Sequence, residues 1–92
     1  MIKGESFIRQ FQYTVTDPVG IHARPAGLLV KAAKEFQSAI TLKKGEKVAS
    51  ATKLMALMGM GIKCGDVITV TLEGEDEEKA AAALERFFQE NL

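Results

Sequence analysis

The chain has 92 residues, zero formal net charge from twelve basic and twelve acidic side chains, 47% hydrophobic and 26% charged residues, and only two prolines. Size scaling gives a folded surface of roughly 5,200 Å² against about 14,500 Å² unfolded, enough for one small core and a single domain over residues 1–92. Collagen-like, linker-like and disordered classes are excluded, and no long-range field draws the chain onto nucleic acid or an anionic membrane.

The first twelve residues carry Lys3, Glu5 and Arg9 and no apolar run of signal-peptide length. Residues 1–7 read as a frayed extension. From Arg9 to Thr16 the residues alternate, Phe11, Tyr13 and Val15 on one face and Gln10, Gln12, Thr14 and Thr16 on the other. That period of two predicts a half-buried strand. Asp17, Pro18 and Gly20 break it, and Ala26, Leu29, Val30, Ala33 and Phe36 then recur at helical spacing, predicting a helix from about Ala23 to Phe36.

Ile40 and Leu42 alternate with Thr41 and Lys43, and Lys44-Gly45-Glu46 supplies a turn to a short strand over Lys47 to Ala49, a hairpin. Ser50 or Thr52 is the expected cap of a two-turn helix holding Leu54, Met55, Leu57 and Met58. Val67 to Leu72 reads as a buried strand. Glu75, Asp76, Glu77 and Glu78 crowd the start of a last helix whose inner stripe is Ala80, Leu84, Phe87 and Phe88, so the acidic run is better explained as a helix start than as a ligand site.

The order is thus strand, helix, strand, strand, helix, strand, helix. An α+β fold with one antiparallel sheet and helices on one face is expected. Each strand–helix–strand unit preserves direction and the hairpin reverses it, so the sheet alternates fully if strand 4 lies between strands 1 and 2.

His22, the single histidine, sits between Gly20 and the first residue of the first helix. At a helix start the first N–H groups lack intrahelical partners and the positive end of the dipole faces outward. Pro25 fits the first turn, where its missing N–H costs little. Ala23, Arg24 and Pro25 therefore surround the imidazole with free amide donors and a permanent cation. Phosphoryl acceptance suits that arrangement: imidazole attacks, and the phosphoramidate is held by the amides and Arg24. A histidine serving only as a helix cap is the competing reading. Cys64, the one cysteine, allows no intrachain disulfide and has no Cys-x-x-Cys partner, which argues against a metal site and for a reducing compartment. No cofactor is called for.

Leu54, Met55 and Met58 are open to two readings. Leucine and methionine at helical spacing usually mean core, yet a two-turn helix cannot bury Leu54, Met55, Leu57 and Met58 on one side. Flexible methionines suit a surface that meets several partners in turn.

The run Gly20-Ile21-His22-Ala23-Arg24-Pro25-Ala26 resembles the active-site signature of HPr, the histidine-containing phosphocarrier family of the phosphoenolpyruvate-dependent sugar phosphotransferase system, and the similarity covers about Phe7 to Gln89. Leu54-Met55-Ala56-Leu57-Met58-Gly59-Met60-Gly61 is similar to the family's second short helix. The resemblance implies an open-faced β-sandwich of βαββαβα order, sheet order 1-4-2-3, with His22 phosphorylated on Nδ1 by phosphorylated enzyme I and Arg24 attending the phosphoryl group.

It further implies docking of enzyme I and of sugar-specific enzyme IIA domains on the helices that carry His22 and Leu54, Met55 and Met58, with transcriptional or metabolic regulators as further partners. The expected protein is a cytoplasmic monomeric phosphoryl carrier, not a turnover enzyme, without membrane insertion or nucleic-acid binding. A nitrogen-related phosphocarrier and a regulatory paralogue acting by protein binding are the alternatives; purely regulatory members lack the histidine. A metal- or RNA-binding module of similar fold would require a Cys-x-x-Cys or an aromatic-basic strand face, and the sheet shows neither.

Many relatives are phosphorylated by a kinase on a serine at the start of the second short helix. Aligned without gaps from His22, that position is Lys53, a departure; Thr52 beside it and Ser50 three residues before it are the candidate phosphorylation sites if a local slip in the alignment restores a hydroxyl. Val19 stands where many members have a small polar residue, which removes a hydrogen bond to the imidazole.

Overall fold

The structure, a computed structural model, describes residues 8–92, so the extension expected over residues 1–7 lies outside the described residues. In chain order the elements are β1 (Ile8–Thr14), α1 (Ala23–Lys34), β2 (Ala39–Lys44), β3 (Lys47–Ser50), α2 (Leu54–Met58), β4 (Val67–Glu73) and α3 (Glu77–Asn91). All three strand pairings are antiparallel and the sheet order is β1-β4-β2-β3. That is the α+β open-faced sandwich with order 1-4-2-3 expected from the connections.

The register puts the buried apolar residues of the strands on one face. Phe11 stands opposite Val70, Tyr13 opposite Ile68, Ile40 opposite Leu72, and Leu42 opposite both Val70 and Ala49. A slip of one residue would turn each of these side chains to water, so the alternating pattern itself fixes the pairing. The other face carries Gln10, Gln12, Thr41, Lys43, Thr69 and Thr71 and stays open. Leu29 and Ala33 of α1, Leu57 of α2, and Ala80, Leu84 and Phe88 of α3 close the core from the covered side. Phe88 is fully buried, with its ring centroid 5.4 Å from Tyr13 and 6.0 Å from Phe11. These rings tie α3 to the edge strand β1.

Two element ends fall two residues short of the sequence expectation, each for a visible reason. The first strand stops at Thr14, not Thr16, because the N–H groups of Thr16 and Asp17 turn away from β4 and donate to the Leu92 carbonyl at 2.6 and 2.7 Å. The first helix stops at Lys34, not Phe36. Glu35 and Phe36 close it with tightened bonds to the Ala32 and Ala33 carbonyls, and the next two N–H groups, of Gln37 and Ser38, donate to the Asp76 carboxylate at 2.8 and 2.9 Å.

The acidic run of the last helix therefore has a second use. Only Glu77 and Glu78 occupy the first turn. Asp76, at the N-cap, makes no side-chain bond to its own helix and instead holds the α1–β2 loop, also accepting the Ser38 hydroxyl. Glu77 is buried and accepts the Gly74 N–H at 3.0 Å.

The Ser38 hydroxyl and then the Gln37 amide hold the Asp76 carboxyl below its usual range. A carboxyl with a depressed folded value stabilises the fold at pH values above its unfolded value of 3.8 and loses that contribution as the pH falls through the folded value. Asp76→Asn should lower the urea midpoint at neutral pH and flatten its decline on acidification. Equal acid limbs for wild type and variant would show that the carboxylate contributes nothing to pH-dependent stability.

The short helix α2 corrects one expectation. Neither Ser50 nor Thr52 caps it: the N-cap is Lys53, in extended conformation and without a side-chain capping bond. The two hydroxyls bond each other at 2.9 Å, and Ser50 Oγ also accepts the Thr52 N–H at 3.3 Å. This local serine–threonine turn, which runs from the last residue of β3 to the residue before the N-cap, engages both hydroxyls in place of capping.

Candidate functional site

The loop before α1 is built to turn one residue inward and the next outward. Asp17 accepts the Val19 N–H on Oδ1 at 2.8 Å and the Gly20 N–H on its carbonyl at 3.0 Å. Gly20 has φ +81°, and a Cβ there would collide with the Ile62 carbonyl oxygen and lie 2.7 Å from Lys63 Cα. Only glycine tolerates both the backbone angle and that approach. Ile21, whose N–H donates to the Ile62 carbonyl at 3.1 Å, is buried in the core.

His22 consequently points out. It is the N-cap of α1, at φ −130° and ψ −173°, exposed, and its imidazole makes no capping hydrogen bond. The cap-only reading loses its support here. The His22 carbonyl accepts the Ala26 N–H at 2.9 Å and closes the first turn. Ala23 and Arg24 bring N–H groups without intrahelical acceptors, Pro25 brings none to waste and is buried, and the Arg24 side chain is exposed. The first turn of α1 holds no acidic residue, so nothing on this helix offsets the positive end of its dipole, and an incoming anion is favoured.

The apolar surface expected on α2 is present. Met55 is 78% exposed, Leu54 and Met58 39% each, while Leu57 is fully buried. Helices α1 and α2 pack on each other. Leu28, on α1, is exposed as well and was not singled out in the sequence. Its signal was a leucine off the Ala26–Leu29–Val30–Ala33 stripe. Val48 and Val67 are also exposed, but their strand positions face the open side of the sheet, away from the helices.

Val19 is exposed in the loop before α1, and Lys53 is exposed at the start of α2. Cys64 is exposed with its sulfur 3.7 Å from the Thr16 carbonyl oxygen. Among the described residues no group of three histidine, cysteine, aspartate or glutamate side chains could hold a metal ion, and no helix is long and apolar enough to cross a membrane. A cleft of about 490 Å³, lined by Gln10, Gln12, Lys43, Val67 and Thr69 among others, lies at the open sheet face and contains none of the His22 loop. His22 is exposed at the start of α1 and so reachable by another macromolecule.

Under that surface, the segment from Gly61 to Asp66 is tied down by side chains. Lys44 Nζ donates to the Gly61 carbonyl at 2.8 Å and pairs with Asp66 Oδ2 at 2.9 Å, and the Lys63 N–H donates to the same carboxylate oxygen at 2.8 Å. The bond from Lys44, then that from the Lys63 amide, holds the Asp66 carboxyl below its usual range.

An open-faced sandwich that presents one histidine at a helix start is the architecture of a phosphoryl-carrier domain. The family model described as PTS HPr component phosphorylation site matches residues 9–90. The chain is 48% identical over 73 residues to the phosphocarrier protein HPr of Lysinibacillus sphaericus, covering 79% of this chain and 83% of that one. It is 40% identical over 85 residues to the HPr of Mycoplasma genitalium, covering 91% and 97%. The crystal structure of HPr-C-His from Thermoanaerobacter tengcongensis superposes with a TM-score of 0.84 at 34% identity, over 88% of this chain and 91% of that one. The chain belongs to the HPr family of phosphocarriers of the phosphotransferase system.

Proposed function

We propose that His22 accepts a phosphoryl group from phosphorylated enzyme I, ultimately from phosphoenolpyruvate, and passes it to enzyme IIA domains for sugar uptake. The observation that carries this reading is an exposed imidazole at the α1 N-terminus with no hydrogen bond tying it down as a cap. The lone pair of the Nδ1 atom attacks phosphorus, the donor's bond to phosphorus breaks, and its electron pair leaves with the donor. The Ala23 and Arg24 amides and the Arg24 guanidinium stabilise the phosphoryl oxygens on His22. A second partner then attacks the same phosphorus, so the chain ends unchanged: it is a carrier with a transient phosphohistidine and needs no cofactor. Purified enzyme I with labelled phosphoenolpyruvate should place one acid-labile label on His22. An acid-stable label, or one on another residue, would refute the assignment.

Leu54, Met55 and Met58, with Leu28, form the docking surface for enzyme I and enzyme IIA in a cytoplasmic monomer. Regulators of transcription or metabolism would use the same face. Met55→Glu should weaken the complex with enzyme I by about tenfold or more while moving the melting temperature by only a few degrees, since it removes exposed, not buried, apolar area. A titration followed by heteronuclear NMR checks this; shifts confined to α3 would place docking elsewhere.

Regulation at the start of α2 follows a different rule from relatives that carry a serine there. Lys53 occupies the N-cap itself, and the Ser50 and Thr52 hydroxyls are bonded to each other. A phosphate at this spot would add about −1.5 to −2 charges beside the docking surface; Lys53 supplies a fixed cation that favours acidic partners. A bifunctional HPr kinase with ATP should leave the chain unmodified, and Lys53→Ser should create a substrate site. Stoichiometric phosphate on Thr52 or Ser50 of the wild type, read by mass spectrometry, would overturn this.

A further inference from the structure

We propose that Asp66 is a positioning residue for His22, acting through the Ile62–Lys63 peptide group and Ile21; the proposal rests on the reading of His22 as the phosphoryl acceptor. One peptide plane connects the two sites. Its N–H, that of Lys63, donates to Asp66 Oδ2 at 2.8 Å, and its carbonyl, that of Ile62, accepts the Ile21 N–H at 3.1 Å. Gly20 packs against the same plane so closely that a Cβ would collide with the Ile62 oxygen. The orientation of this single peptide group therefore sets where Gly20 and Ile21 lie, and Ile21 is bonded to His22.

Asp66 is itself well anchored. Its carbonyl accepts the Val15 N–H at 2.9 Å, its N–H donates to the Lys63 carbonyl at 3.0 Å, and Gly65 donates to the Val15 carbonyl at 2.7 Å. The carboxylate thus reaches from the start of β4, held beside Val15, back across a tight turn to the peptide under the histidine loop. A carboxylate accepting from a peptide N–H also polarises the carbonyl of that peptide and strengthens it as an acceptor for Ile21. Lys44, bonded to both the carboxylate and the Gly61 carbonyl, neutralises Asp66, while the hydrogen bond to the peptide plane comes from Asp66 itself. The device is one of geometry: it keeps the imidazole and the first amides of α1 in register with a phosphoryl group delivered from outside, where small displacements are costly to transfer rates.

The test compares Asp66→Ala, Asp66→Asn and Lys44→Met in phosphorylation by enzyme I and phosphoenolpyruvate, with amide hydrogen exchange at Ile21 measured in the unphosphorylated protein. Asp66→Ala should lower kcat by about five- to tenfold with KM unchanged, because the docking surface is untouched, and should speed exchange at Ile21. Asp66→Asn keeps an acceptor for the Lys63 N–H and should recover most of the rate, and Lys44→Met, which leaves the Asp66 carboxylate to accept from Lys63, should lose less than Asp66→Ala. A purely structural ion pair predicts the opposite grouping, with all three variants equally lowered in melting temperature and kcat unmoved in the folded protein. That result, or wild-type exchange at Ile21 in Asp66→Ala, overturns the proposal. Absence of label on wild-type His22 would instead refute the acceptor assignment, while the Ile21 exchange rate still decides whether Asp66 controls the loop.

Discussion

His22→Ala is expected to fold as the wild type does and to take no label from enzyme I and phosphoenolpyruvate. The imidazole is exposed and makes no capping bond, and the backbone carbonyl that closes the first turn is retained. Its loss belongs with ordinary surface substitutions, about 0.5 kcal/mol or less, or roughly 2–4 °C in melting temperature for a domain of this size. Transfer, by contrast, has no other nucleophile in the Gly20–Ala26 run. Labelling of the variant at the wild-type rate would show that another residue carries the phosphoryl group. A large loss of stability would show that His22 is a structural residue after all.

Gly20→Ala should strongly destabilise the protein. The new Cβ runs into the Ile62 carbonyl oxygen and meets Lys63 Cα at 2.7 Å, neither of which can swing aside as a flexible side chain does, and the residue sits at φ +81°. Strain and overpacking together should cost about 2–5 kcal/mol, lowering the melting temperature by about 10 °C or more. The alternative to unfolding is displacement of the loop from Ile62, which would misplace His22 and slow transfer in the protein that remains folded. Gly27→Ala is the matched control. Gly27 lies inside α1, and a methyl group added there would find nothing within 4 Å, so alanine should stabilise by about 0.5–1 kcal/mol. Similar melting temperatures for the two variants would refute the close contact between Gly20 and the Ile62–Lys63 peptide.

The placement of His22 was legible because it is a local matter. A breaker at Asp17-Pro18 and Gly20, a proline fit for a first helical turn and a stripe at Ala26, Leu29 and Ala33 put a helix start at Ala23 whatever the rest of the chain does. The sheet order was legible for a topological reason: direction is preserved across each strand–helix–strand unit and reversed at the hairpin through Gly45, so full alternation needs β4 between β1 and β2. Exposure of part of α2 followed from counting, since Leu54, Met55, Leu57 and Met58 exceed what one side of a two-turn helix can bury.

What the tertiary structure alone decided lies between residues far apart in sequence. No periodicity shows that Asp76 will leave its own helix uncapped to hold Gln37 and Ser38, that Gly20 will press on the peptide of Ile62, or that Lys44 will meet Asp66 beneath the histidine loop. Nor does it show that Ser50 will bond Thr52 and leave Lys53 as the cap. Repeating patterns report which face of an element is buried, because burial averages over many side chains. A directional hydrogen bond or a single close approach depends on register and loop path to within about an ångström, and only the packed sheet and helices fix those.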